Sequence, residues 1–255
     1  MLLVQNLSIA IKDSKREIVK DISFSVEDGE TLGLIGESGS GKSMTSKCIL
    51  GLLNKRTMRQ QGSILWNGNE INTGIVGNEI CMILQNPMTA FAPMLKIGRQ
   101  MEMGFNLTAS SARREFYSRL DVLFQKMSLP GTAKITGSYP HELSGGMLQR
   151  VMIAITLMKN PALLIADEIT TAVDSASEYK ILCELEDMKK RGISMLVVTH
   201  DFGVIARLCD KVAVMKNGRI IEQGKTQDVL KNPQNEYTKS LLSASMLFES
   251  REAAC

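Results

Sequence analysis

Thr31-Leu32-Gly33-Leu34-Ile35-Gly36-Glu37-Ser38-Gly39-Ser40-Gly41-Lys42-Ser43 is the stretch that decides the fold. Its first five residues read as a short apolar strand after the Asp28-Gly29 turn, and Lys42 to Leu53 reads as a helix. Between them Gly36, Gly39 and Gly41 let the backbone curl, so that successive N–H groups point inward at phosphate oxygens. The following helix adds the positive end of its dipole. A glycine-rich surface turn shares the composition, but not Gly-Lys-Ser in register between strand and helix. In that register Glu37, Ser38, Ser40 and Met44 complete the cradle, Lys42 can reach the β- and γ-phosphates, and the Ser43 hydroxyl can ligate Mg²⁺.

Four further positions fit chemistry on a phosphate. The apolar strand Leu163 to Ala166 ends in Asp167-Glu168. A carboxylate at Asp167 can hold Mg²⁺ directly or through water, and Glu168 beside it can take a proton from, or orient, an attacking water. A strand ending in two solvated acids is common in isolation; here the phosphate loop shares the chain. Gln85 follows the strand Ile80 to Leu84, where its amide can sense the metal or the water. His200 follows Val197-Val198-Thr199, and its imidazole can hydrogen-bond the γ-phosphate or hold the water in line. Alone, a strand-end Gln is usually solvated and a single His usually structural.

A fifth segment is Leu143-Ser144-Gly145-Gly146-Met147-Leu148-Gln149-Arg150. Ser144, Gly145 and Gly146 open a helical run through Leu148, Val151, Ile155 and Leu157. Ser144 reads as an N-cap, and a hydroxyl beside bare backbone amides at a helix N-terminus is also an anion site.

Around these motifs Ile22, Phe24 and Val26 alternate with polar residues as a half-buried strand. Ser63 to Trp66 is a strand closed by Asn67-Gly68, and Val212 to Met215 pairs with Arg219 to Glu222 across Asn217-Gly218. Between about Pro87 and Asn160 the spacing turns helical, as in Phe116, Leu120, Leu123, Phe124 and Met127. Ser175 to Arg191 reads as a helix, Met195 to Thr199 as a strand, and Thr226 to Leu247 as two short helices broken at Pro233. The expected fold is α/β, with a mostly parallel sheet, an antiparallel portion and an inserted helical subdomain. A single domain spans 1–255: an α/β core at 1–86 and 161–225, a helical subdomain at 87–160 and a helical tail at 226–255. Ligands of such sheets sit beyond the carboxyl ends of the strands, where the glycine loop and Asp167 can meet.

Composition narrows the class. A net charge of +3 over 255 residues, without a basic cluster, gives no argument for nucleic acid. No apolar run approaches the ~20 residues of a membrane-spanning helix, and the N-terminus lacks the pattern of a signal peptide. The five cysteines are scattered without C-x-x-C spacing, and with only His141 and His200 beside them they suggest cytosolic thiols, not disulfides or a metal centre.

Taken in order and spacing, Gly36 to Ser43, Gln85, Leu143 to Arg150, Leu163 to Glu168, Thr171-Ala172-Val173-Asp174 and His200 resemble the ABC ATPases over nearly the whole chain. The resemblance implies ATP and Mg²⁺ as cofactors and two ATPases in a head-to-tail sandwich, the Ser144-Gly145-Gly146 of one closing over ATP on the Lys42 of the other. It also implies that the helical subdomain, with the loop at Gln85, contacts membrane permeases. Tyr139 to Met147, Gln85 to Phe91 and Asn232 to Thr238 look like the oligopeptide, dipeptide and nickel importer subgroup. The compact length leans towards nickel or a metal chelate, with dipeptides or oligopeptides as the alternative cargo. The partners so implied are a second, different ATPase subunit, two transmembrane permease subunits and a separate solute-binding protein; the place is the cytoplasmic face of the membrane. An exporter motor and a non-transport ABC protein are the rivals, the latter usually carrying paired domains, coiled coils or basic arms. Three positions depart from the family: Ile169 where proline is usual, Val173 where leucine is usual, and Ile11 about where an aromatic ring commonly stacks on adenine.

Overall fold

Alternating and fully apolar runs sort the strands into two sheets. The structure, a computed structural model, describes residues 1–14, 16–72, 74–169 and 175–252, with backbone only at 175 and 246–252. It opens with an antiparallel pair, β1 (Leu2–Ile11) and β2 (Glu17–Val26), and the wholly buried strand β3 (Thr31–Ile35) leads to helix α1 (Lys42–Ile49). Strands β4 (Met58–Trp66), β5 (Asn69–Glu70) and β6 (Ile80–Ile83) follow. The helical subdomain comes next: α2 (Ile97–Gly104), α3 (Ser110–Lys126), α4 (Thr132–Gly137) and α5 (Gly145–Lys159). The core resumes with β7 (Leu163–Asp167), α6 (Ser175–Lys190), β8 (Ser194–Thr199) and α7 (Phe202–Leu208). The hairpin β9 (Lys211–Lys216) and β10 (Arg219–Lys225) precedes the tail helices α8 (Thr226–Lys231) and α9 (Glu236–Glu252).

The larger sheet has the order β10-β9-β3-β8-β7-β6 and is parallel except for β10; the smaller, β2-β1-β4-β5, is antiparallel. The two-residue period of the larger sheet divides its side chains between two cores. Cys81, Ile83, Leu164, Ala166, Met195, Val197, Val212 and Val214 pack towards the helices of the subdomain and the tail. Their neighbours Ile80, Leu163, Ile165, Leu196, Val198, Ala213 and Met215 pack towards the antiparallel sheet. Both faces are covered, which is why these strands are continuously apolar. At Gly33 the covering is so close that a Cβ would lie 2.3 Å from Ile205 Cδ1 and 3.0 Å from Cys209 Sγ, so glycine lets α7 settle onto β3.

Several boundaries differ from the sequence expectation. Strand β1 was not expected: Leu2 and Val4 are buried, then Leu7 and Ile9, so the alternation changes phase. A bulge at Asn6, left-handed at φ 49°, causes the shift, and Asn6 Nδ2 donates to Asp21 Oδ1 at 3.0 Å across the pair. Helix α1 stops at Ile49, short of Leu53, because the chain turns at Gly51, whose N–H bonds to Cys48 O. Helix α9 runs 17 residues, longer than the short helix expected there. Helix α7, with only 7 residues, is too brief for its period to show, although Asp201 caps it by accepting from Gly203 N–H. Among the described residues no helix is long and apolar enough to cross a membrane.

Three cysteines are buried as free thiols: burial pushes Cys48 up to about 12, Cys81 to about 11 and Cys209 to about 12. Cys183 is half-buried and accepts from Arg207 Nη2 at 3.3 Å.

Candidate active site

Parallel register brings the candidate residues to one edge. Ile83 pairs with Ala166, Asp167 with Val198, and Ile35 with Thr199, so the chain leaves β6, β7, β8 and β3 side by side. Gln85, Asp167, Glu168, His200 and the glycine loop therefore emerge together. A cleft of about 180 Å³ lies there, lined by Ile18, the loop and start of α1, Gln85 and Glu168. A wider groove of about 450 Å³ runs between β1, β2, β9 and β10, but its one charged side chain, Lys211, is already paired with Glu30 at 2.7 Å. The smaller cleft is the one lined by candidate residues.

The glycine loop is shaped by its neighbours. A Cβ on Gly36 would come within 2.1 Å of Met215 O, so only a bare backbone passes β9 here. Lys42 is 4% exposed, and its ammonium donates to Gly36 O at 2.6 Å and Glu37 O at 2.9 Å. Burial lowers its pKa, against the opposing pull of Glu168, Asp167 and Glu37.

Next to it, Ser43 Oγ donates to Asp167 Oδ1 at 3.0 Å. Asp167 is 2% exposed; burial raises its pKa, the Ser43 bond lowers it and Glu168 raises it further. A hydroxyl and a buried carboxylate beside a second acid form a set of hard oxygen donors that suits Mg²⁺. Glu168 turns out of β7 into the left-handed region at φ 50°, while its N–H still bonds to Val198 O at 2.8 Å. That backbone costs about 1–3 kcal/mol and is held by the ladder on which it ends. Its carboxylate accepts from Gln85 Nε2 and faces His200 Nδ1 at 4.0 Å. The His200 side chain is 62% exposed.

Ser144, Gly145 and Gly146 do not line this cleft. Ser144 caps α5 by accepting from Met147 N–H at 3.3 Å, and a side chain on Gly145 or Gly146 would meet nothing within 4 Å. Ser144 and Gly145 are exposed and Gly146 is half-buried. About one turn later Gln149, 1% exposed, donates to the Ile169 carbonyl, so α5 touches the residue after Glu168. Ile169 itself is buried in the larger core. The Thr171 to Asp174 segment, with Val173, lies outside the described residues.

Other contacts were not foreseen. A groove of about 610 Å³ adjoins the loop at Gly39 and is lined by Arg16, Glu17, Ile18, Lys20 and Asn217. Ile11 instead lines a separate groove with Ser8, Ala10 and Lys12. Alternation along β2 could have singled out Ile18, but nothing local marks its neighbour across the loop.

A glycine loop between strand and helix and an acid pair at a neighbouring strand end are the arrangement of a P-loop ATPase. Residues 19–171, more than half of the chain, match the family model described as ABC transporter. The chain is 40% identical over 251 residues to the metal-staphylopine import system ATP-binding protein CntD of Staphylococcus aureus, covering 95% of this chain and 92% of that one. It is 38% identical over 248 residues to the oligopeptide transport ATP-binding protein OppD of Lactococcus lactis, covering 94% and 73%. Among solved structures, an ATP-binding subunit of an ABC transporter superposes with TM-score 0.76 at 26% identity, covering 96% of this chain and 99% of that one. A dimeric ATP-binding cassette in a post-hydrolysis state with ADP and Pi gives 0.75 at 25% identity, covering 89% and 99%. The chain belongs to the ABC transporter family, as its ATP-hydrolysing subunit.

Proposed function

We propose that this ATPase powers an importer for nickel or a metal chelate, and that it works as one half of a sandwich with a second, different ATPase. The observation that carries the site assignment is the convergence of Lys42, Ser43, Gln85 and Glu168 on one cleft, with Asp167 bonded to Ser43, His200 beside Glu168 and Ser144 exposed away from it. In this reading the N–H groups from Gly36 to Met44 and the Lys42 ammonium grip the β- and γ-phosphates. Ser43, Asp167 and Gln85 hold Mg²⁺, which when bound would neutralise phosphate charge. Glu168 accepts the proton of the attacking water, and Gln85 and His200 orient that carboxylate and the water. Ser144 and the N–H groups of Gly145 and Gly146 close over the ATP of the opposite subunit, so binding joins the pair and hydrolysis releases it.

The helical subdomain supplies the contact with two permeases at the inner face of the membrane, and a separate binding protein delivers the cargo. Met88, Met94 and Leu95 follow Gln85 and are exposed by 46%, 84% and 39%, an apolar surface suited to that contact. The metal-chelate reading is favoured by the similarity to the metal-staphylopine import protein, with oligopeptide import as the second reading from relatives only slightly less similar. Uptake of labelled nickel, with and without a chelator, beside a labelled dipeptide separates them in cells carrying wild type or Lys42→Ala at equal expression. Selective loss of nickel uptake supports the first reading, selective loss of dipeptide uptake the second, and no change in either defeats both.

A further inference from the structure

The C-terminal segment reaches back to the phosphate loop. Tyr237, 8% exposed at the start of α9, accepts a hydrogen bond on its hydroxyl from Glu37 N–H at 3.2 Å, across 200 residues of sequence. Its ring lies under Lys216, with Nζ 4.1 Å from the centroid, and Lys216 ends the strand whose Met215 carbonyl crowds Gly36. The start of α9 is fixed in turn by Glu222 of β10, which accepts from Gln234 N–H at 2.7 Å and Asn235 N–H at 3.2 Å, while Asn235 Oδ1 accepts from Tyr237 N–H at 2.9 Å. This is the Asn232 to Thr238 segment, for which phosphate chemistry alone gives no use.

The bond falls on a particular peptide plane. The N–H of Glu37 and the C=O of Gly36 belong to one planar trans amide and point in opposite directions, so holding the first aims the second. The Gly36 carbonyl accepts from Lys42 Nζ at 2.6 Å. Glycine resists rotation of the adjoining plane less than any other residue, so the orientation needs an outside hold. An ammonium has three donors; Gly36 O and Glu37 O take two of them, which aims the third.

We propose that Tyr237 is a positioning residue for Lys42, acting through the Gly36–Glu37 peptide. The C-terminal segment thereby sets the grip of the loop on the nucleotide, so that any partner displacing α9 would loosen ATP. The proposal rests on the assignment of Lys42 to the phosphates.

The test is equilibrium titration of MgATP onto the purified full-length chain, as wild type, Tyr237→Phe, Lys42→Ala and the double variant, with Lys216→Met as control. Losing the hydroxyl, which accepts from Glu37 N–H and also meets the Glu37 side chain, should weaken Tyr237→Phe by about threefold to tenfold. In the Lys42→Ala background the same change should cost less than about twofold, since nothing remains to be aimed. Lys216→Met, which unloads the ring but keeps the hydroxyl, should stay within about twofold of wild type. Unchanged affinity in Tyr237→Phe, an equal loss in both backgrounds, or a loss in Lys216→Met as large as in Tyr237→Phe would each overturn the proposal. Wild type that binds while Lys42→Ala binds equally well would instead defeat the assignment of Lys42 itself.

Discussion

Two neighbouring acids at the end of β7 differ in almost every physical respect. Asp167 is sealed in and bonded to Ser43, whereas Glu168 swings through a left-handed turn towards Gln85 and His200. With Glu168 as proton acceptor, Glu168→Gln should lower ATP hydrolysis by about 100-fold or more and accumulate an ATP-bound dimer on size exclusion; rapid turnover by that variant would count against the role. Burying the Asp167 carboxylate costs stability, and an amide in its place can still accept from Ser43. Asp167→Asn should therefore raise the melting temperature in Mg²⁺-free buffer while abolishing hydrolysis. A lower melting temperature would mean that the carboxylate stabilises the fold. The acids, Lys42 and the glycines were legible in the sequence because each sits next to an apolar strand or a glycine pattern. Tyr237 and Gln149 were not, because their partners, Glu37 and Ile169, are distant in sequence and the contact is to backbone, which leaves no pattern of side chains.

Among the elements, α7 sits close on β3 at Gly33. Gly33→Ala would drive a Cβ against Ile205 Cδ1 and Cys209 Sγ, and overpacking of this kind costs about 1–3 kcal/mol. The urea midpoint should fall accordingly, and Ile205→Val, which deletes Cδ1, should restore most of the loss. The hold on α9 is electrostatic instead. Burial would raise the Glu222 carboxyl, yet hydrogen bonds from the segment starting at Gln234 outweigh it and leave the group below its ordinary 4.5. A depressed carboxyl stabilises the folded state above its ordinary value, and that stabilisation is lost as pH falls through the lower, folded value. Melting temperatures followed from about pH 6 down to 3 should thus drop less steeply in Glu222→Gln than in wild type; parallel curves would refute it. Element types followed from apolar spacing in β3, β7, β8 and α6. Phase broke at the Asn6 bulge, and that is why β1 escaped a period-two reading.

At the scale of the molecule, one sheet serves two cores, so the helical subdomain and the antiparallel sheet share a common floor. Met94 stands clear of both. If it meets a permease, Met94→Asp should abolish cargo uptake in cells and leave MgATP affinity of the purified chain unchanged; intact uptake would remove this surface from the coupling path. The mixed architecture was readable because helical texture between Pro87 and Asn160 contrasts with the β-branched runs around it, whereas the order of strands in the sheet depends on pairings no local pattern encodes. The burial of Cys48, Cys81 and Cys209 has a practical side. With thiols held near 11 to 12, these three should ignore maleimide at neutral pH. Once Cys255 is replaced by Ser, a single dye should then settle on Cys183, beside Arg207 at the junction of α6 and α7.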